Sequence, residues 1–266
     1  MSQNSSNEQG DTKKKRRSWR EWAMILILPV WVLVSFLAAQ QVTIGVLWVL
    51  KQLHVPLGSI NQNVMTTILS VFVYLVAIAL TIGLPWLVMK QRVSRDELGI
   101  HRLPFWKDIL MAPAGLVLYL ILSFLLMLIL GVFIPGLNAT QTQNTGFTGF
   151  TGLGQQYELI LAFITLVVIA PIAEELLFRG YLFSKLRKYV PVWAAILATS
   201  VLFGLIHGIG GTWSLVIDTF ALSVVLCLLR LSTKSLWASM LLHMIKNAIA
   251  FFFLFVYPVL HGTIGS

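Results

Sequence analysis

The chain has 266 residues, of which 58% are hydrophobic and only 11% charged, with a formal net charge of +9. A soluble domain carries about 25% charged residues, so this composition cannot cover a water-exposed surface and requires lipid around it. The positive charges stand in short blocks between hydrophobic runs. That pattern encodes topology and is not a phosphate-binding face, which argues against nucleic acid as a partner.

Residues 1–21 are polar and read as a disordered basic tail containing Lys13, Lys14, Lys15, Arg16, Arg17 and Arg20. The apolar run that follows, 22–50, is too long for a signal peptide's core of about 7 to 15 residues, so it reads as an uncleaved first helix. A spanning helix needs about 20 apolar residues. Further runs of this kind lie at 64–89, 109–134, 157–187, 191–208, 212–230 and 235–260. The fold class is therefore all-α: a polytopic transmembrane helical bundle of about seven spans, with eight as the minority count. The expected division is a tail (1–21), N-terminal transmembrane helices (22–156), a polar-motif core (157–260) and a short tail (261–266). The single cysteine, Cys227, excludes an intrachain disulfide and a cysteine-based zinc cluster, and reads as a small core residue.

The connections alternate in charge. The tail is basic, the 51–63 loop holds only Lys51, and the 90–108 loop carries Lys90, Arg92, Arg95, Arg102 and Lys107. The 135–156 loop is uncharged, the hairpin at Lys185, Arg187 and Lys188 is basic, and the Gly208–Gly211 turn is neutral. Arg230 and Lys234 mark the next basic connection. By the positive-inside rule the N-terminus is expected in the cytoplasm and the C-terminus outside, and the lack of any organellar signal favours a plasma membrane.

Charged groups inside a bilayer are expensive and usually functional. One polar cluster is Glu174-Glu175 with Arg179, just after Pro171. Glu175 and Arg179 are four apart on a helix and can pair, whereas Glu174 is turned about 100° away with no local cation. Phe203…His207 and His243…Asn247 are the other two. The 157–187 and 191–208 runs form a hairpin near Tyr189. Glu174 lies about 15 residues before it and His207 about 17 after, so their depths match within a few ångströms. Asp218 and Glu158 sit near the neutral ends of their runs and are expected to face headgroups or water. Lys246 is expected to snorkel or to neutralise a carboxylate.

No Gly-x-Ser-x-Gly and no His-Glu-x-x-His occurs. Two hydrolytic schemes fit the three clusters. In one, Glu174 is a general base, His207 holds the water, and His243 with Asn247 donate to a developing oxyanion. In the other, Glu174, His207 and His243 hold a divalent metal such as zinc, whose water attacks. Glu175, Arg179 and Phe203 take supporting roles in both.

In order, Glu-Glu-x-x-x-Arg, Phe-x-x-x-His and His-x-x-x-Asn resemble the motifs of the CPBP family, also called type II CAAX prenyl protease or Abi family, over roughly residues 157–257. The resemblance implies an intramembrane endopeptidase, with Glu174 and His207 activating water and His243 with Asn247 stabilising the oxyanion. It also implies that Arg179 holds Glu175. The substrate would be a membrane-associated protein or peptide, cleaved in CAAX processing or in bacteriocin maturation or immunity. Lys246 departs from the family pattern, where that position is more often small or uncharged. The competing class is a non-catalytic immunity factor, scaffold or transporter that keeps the polar cluster for binding or ion passage.

Overall fold

A computed structural model describes residues 18–90, 92–134, 137, 147, 156–209 and 212–261. The basic N-terminal tail up to residue 17, nearly all of the 135–156 loop, the tip of the 208–211 turn and the C-terminal tail lie outside the described residues. Among the described residues there is no strand. The long helices are α1 (Trp19–Gln52), α2 (Gln62–Val88), α4 (Trp106–Gly131) and α5 (Gln156–Leu186), followed by α6 (Val192–Gly208), α7 (Trp213–Thr233) and α8 (Trp237–Leu260). A single-turn helix α3 (Arg95–Leu98) sits in the connection before α4. Six of the long helices are long and apolar enough to cross a bilayer. The seventh, α6, has 17 residues, a rise of about 26 Å against a hydrocarbon core of about 30 Å. The protein is a multi-pass helical bundle.

Local sequence sets the ends. Ser18 opens α1 with a capping box: its hydroxyl accepts from the Glu21 N–H, and the Glu21 carboxylate accepts from the Ser18 N–H. Asn61 caps α2 and Ser94 caps α3 through their side chains. Gly99 ends α3 at φ +82°, where a Cβ would stand 2.7 Å from the Arg230 guanidinium carbon. That guanidinium donates to the Glu97 carbonyl at 3.0 Å. Glycine is thus required both by the left-handed backbone and by the close approach.

The two ends of the bundle differ in chemistry. At the basic end the 94–108 connection is laced to its neighbours. Glu97 accepts from Lys188 at 2.7 Å and pairs with Lys185 at 3.4 Å, the Leu236 N–H donates to the Gly99 carbonyl, and Arg102 pairs with buried Asp108. At the neutral end, the Asn63 amide donates to Glu158 at 2.5 Å. Glu158 is therefore buried and satisfied by α2, which corrects its sequence placement among headgroups; α5 enters the bundle already covered.

The core is built around α5. Every residue from Leu177 to Phe183 is buried, Arg179 included, as at the centre of a bundle. The stretch packs against α1, α6 and Cys227, while α4, α7 and α8 form a second apolar cluster. By contrast α1 and α4 expose leucine, isoleucine, valine and phenylalanine along their outer faces, as lipid contact demands. Between α6 and α7 the helices nearly touch. A Cβ on Gly204 would lie 2.8 Å from the Val216 carbonyl, and one on Gly208 would lie on the Val216 side chain. Gly204 and Gly208 form a small-xxx-small face that lets the two backbones close, and His207 stands beside that contact.

Candidate active site

Three helices bring the sequence-predicted polar residues together, and a fourth adds to them. From α5 come Glu174, Glu175 and Arg179, from α6 Phe203 and His207, and from α8 His243 and Asn247. Tyr74 arrives from α2.

Glu175 and Arg179 pair as the i, i+4 spacing predicts. The guanidinium donates to Glu175 Oε1 at 2.8 Å, and both side chains are wholly buried. The same Oε1 lies 3.1 Å from His243 Nδ1. The guanidinium carbon also stands 4.4 Å from the Phe203 ring centroid, a cation–π contact strengthened by desolvation. Phe203 is a hub: its ring centroid is 4.3 Å from that of His207 and 5.9 Å from that of His243. One buried aromatic thus sets the spacing of two histidines on different helices.

Glu174 points the other way. Its Oε1 accepts from the Tyr74 hydroxyl at 2.7 Å. Its Oε2 lies 3.6 Å from His207 Nε2 and 3.8 Å from His243 Nε2. Both gaps are too long for a direct hydrogen bond and suit a bridging water. The histidine tautomers follow from the other ring nitrogen. His207 Nδ1 is 2.8 Å from the Phe203 carbonyl, which can only accept, so Nδ1 carries the proton. His243 Nδ1 faces a carboxylate oxygen and donates likewise. In the neutral rings both Nε2 lone pairs therefore face Glu174 Oε2. Two imidazoles fixed through Nδ1 and a carboxylate are the donor types a divalent metal takes. Among the described residues, however, no three His, Cys, Asp or Glu side chains close to metal-ligand spacing. Glu174, His207 and His243 thus do not form a preformed three-ligand metal centre.

Asn247 shows why Pro171 stands before the carboxylates. The stretch Ile164–Ile169 is wound as a π-helix, and the Ala170 N–H donates to the Thr165 carbonyl, five residues back. In that register the Leu166 carbonyl needs the N–H of residue 171, which is proline and has none. The Asn247 amide fills the gap, donating to the Leu166 carbonyl at 2.9 Å. One of its two N–H bonds is spent there; the other remains for the cavity.

The cavity, of about 190 Å³, is lined by Glu174, His207, His243, Asn247, Tyr74 and Lys246 among others. A second cavity of about 430 Å³ meets it at Tyr74, Glu174 and His207 and runs to Leu33, Phe36 and Gln40 of α1. Glu174 is thus reached from between α1 and α6. Asp218, expected among headgroups, instead turns inward. Its Oδ1 accepts from Tyr119 at 2.6 Å and Ser123 at 2.9 Å, and its Oδ2 lies 3.6 Å from Lys246 Nζ. Lys246 neutralises a carboxylate, one of its two sequence-expected roles. Sequence reasoning missed Tyr74. The available signal was a tyrosine twelve residues into a helix, far from the interfacial belt where tyrosines normally sit.

No curated protein and no solved structure matches the chain. A family model does: residues 156–249 match the one described as type II CAAX prenyl endopeptidase Rce1-like, and over that segment the CAAX-protease resemblance carried by the three motifs is borne out.

Proposed function

We propose that the protein is an intramembrane endopeptidase that hydrolyses a peptide bond of a membrane-associated protein or peptide with a water activated by Glu174 and His207. The observation that carries this reading is the convergence of Glu174 Oε2 with two histidine Nε2 atoms at 3.6 and 3.8 Å in a polar cavity. The family match over the same residues supports it.

A water between these atoms donates one hydrogen to Glu174 Oε2 and the other to His207 Nε2. Glu174 takes the first proton as the oxygen attacks the carbonyl carbon. The tetrahedral oxyanion faces the second Asn247 N–H and, when the ring is an imidazolium, His243 Nε2–H. Collapse breaks the C–N bond, and the proton held by Glu174 passes to the leaving amine. Tyr74 holds Oε1 so that Oε2 stays aimed at the water. Glu175 aligns His243, and Arg179 neutralises Glu175 in a dry interior where a lone carboxylate would be costly.

The test is proteolysis in liposomes of a library of membrane-anchored reporter peptides, run with and without a chelator. Cleavage that survives chelation and is lost in Glu174→Gln supports the scheme. Cleavage abolished by chelation and restored by zinc would replace it with metal-activated water. A Glu174→Gln protein that cleaves normally would leave the polar cluster to a binding or scaffold role.

A further inference from the structure

Lys246 is a charged residue lining the cavity that the hydrolytic scheme does not use. It lies three residues after His243 and one before Asn247, on the α8 face that lines the 190 Å³ cavity. Its side chain is 21% exposed and lines the cavity. Its ion pair with Asp218 is 3.6 Å long, beyond hydrogen-bond distance. Asp218 does not need the lysine for its other oxygen, because Tyr119 and Ser123 both donate to Oδ1 from α4. A carboxylate fixed from a third helix thus stands as a counter-charge beside the ammonium. At that separation the three donors of the ammonium are not consumed by Asp218.

We infer that Lys246 is a specificity determinant that binds a carboxylate of the substrate next to the scissile bond, with Asp218, Tyr119 and Ser123 positioning it. The inference rests on the peptidase reading for the word substrate, but the binding does not depend on turnover. The carboxylate has two chemical sources. It is either the free α-carboxylate of a chain end close to the cleaved bond or the side chain of an acidic residue near that bond. Either would meet a charge-assisted hydrogen bond in low dielectric, which discriminates strongly against a neutral isostere because the ammonium is otherwise left underused. A purely structural Lys246–Asp218 pair would show no preference among ligands.

Binding to the full-length protein in detergent tests this directly, with the Glu174→Gln variant used so that nothing is cleaved. Three probes are compared by thermal shift and titration: N-acetyl-Ala-Leu-Ala with a free C-terminus, its C-terminal carboxamide, and N-acetyl-Ala-Glu-Ala carboxamide. The free acid, the glutamate peptide or both should bind about tenfold or more tighter than the neutral amide, and which of them does so identifies the source. Lys246→Arg should keep the preference, and the charge-balanced double variant Lys246→Met/Asp218→Asn should lose it while remaining folded. Equal binding of acid and amide to the parent, or no binding of any of the three, overturns the inference. A preference that survives the double variant overturns it too. Failure of the liposome cleavage assay alongside a lysine-dependent acid preference would instead sink the peptidase reading and leave the site standing.

Discussion

Asn247 donates a hydrogen bond to the carbonyl of Leu166, the one backbone acceptor that Pro171 cannot serve. Two motifs some 75 positions apart are therefore joined by one missing N–H. The proline that precedes the carboxylates opens a hole in the α5 ladder, and the asparagine of α8 closes it. The same side chain then carries a structural duty and, in the proposed mechanism, a catalytic one.

The two duties separate in a double-mutant cycle. Asn247→Ala leaves the Leu166 carbonyl without a donor in low dielectric and should cost about 1 to 3 kcal/mol in stability, together with most of the activity. Pro171→Ala restores an N–H at the position the π register requires. The double variant should therefore recover much of the stability but none of the activity. Thermal unfolding in detergent and turnover of the four proteins measure this. Strictly additive stability losses would show that the two residues do not share the carbonyl.

Helix closeness at the histidine depends on Gly204. A methyl there meets the Val216 carbonyl at 2.8 Å, and backbone cannot rotate away as a side chain can. Gly204→Ala should cost about 1 to 3 kcal/mol and lower turnover by displacing His207. Gly45 is the control, because nothing lies within 4 Å of a Cβ placed there. Gly45→Ala should leave stability unchanged or raise it by about 0.5 to 1 kcal/mol. Equal effects at the two glycines would show that the close approach to Val216 does not set the stability at Gly204.

Much of this could be read from the chain, and the exceptions share a cause. Spacing alone gives the Glu175–Arg179 pair and aims Glu174 elsewhere, because both residues lie on one helix of known pitch. Depth along a hairpin brings His207 level with Glu174. What stayed hidden depends on rotation between helices that are not neighbours in sequence. Tyr74 reaches Glu174 across 100 positions, and Glu158 and Asp218 are turned inward by Asn63, Tyr119 and Ser123. A hydrophobic run tells where a helix starts and stops, but in lipid every face can be apolar, so its periodicity does not say which face meets which partner.

Glu97 should give the basic end a pH-dependent grip. Burial alone would raise its carboxyl, but the Lys188 hydrogen bond and the Lys185 and Lys188 charges outweigh it and hold the group below its ordinary value. A depressed folded value means stability that is present above the unfolded pKa of about 4.3 and is lost as pH falls through the folded one. The difference in melting temperature between the parent and Glu97→Gln should therefore be positive at pH 7 and shrink as the pH drops below about 4. A difference independent of pH would show that Glu97 acts through shape and not through charge.

Orientation is testable apart from mechanism. The basic connections at 90–108, 185–188 and 230–234 should face the cytoplasm, and the neutral ones the outside. A cysteine introduced at position 187 in a Cys227→Ala background should react with an impermeant maleimide only after the cells are opened. One introduced at position 58 should react in intact cells. Labelling of position 187 from outside would invert the protein.

The sharpest test compares two adjacent, chemically identical side chains. Glu174 accepts from Tyr74 and faces the cavity; Glu175 accepts from Arg179 and His243 and faces the core. Glutamine is nearly isosteric with glutamate. In Glu174→Gln the amide oxygen still accepts from Tyr74, and a carboxylate is removed from low dielectric, so stability should hold or rise. Activity should fall by about 10² to 10⁴, because an amide cannot take the proton from water. In Glu175→Gln the order reverses. The Arg179 guanidinium loses its counter-charge in a fully buried site, a loss of about 3 to 5 kcal/mol, and activity follows only as the fold and the His243 alignment decay. Arg179→Ala should reproduce that stability loss, and Arg179→Lys should recover part of it, since an ammonium restores charge but not the planar contact with Phe203. Melting temperature and turnover of the four variants decide the matter. Equal stability losses at positions 174 and 175 would show that the two faces of α5 are assigned the wrong way round, and a fully active Glu174→Gln would remove the general base from the mechanism.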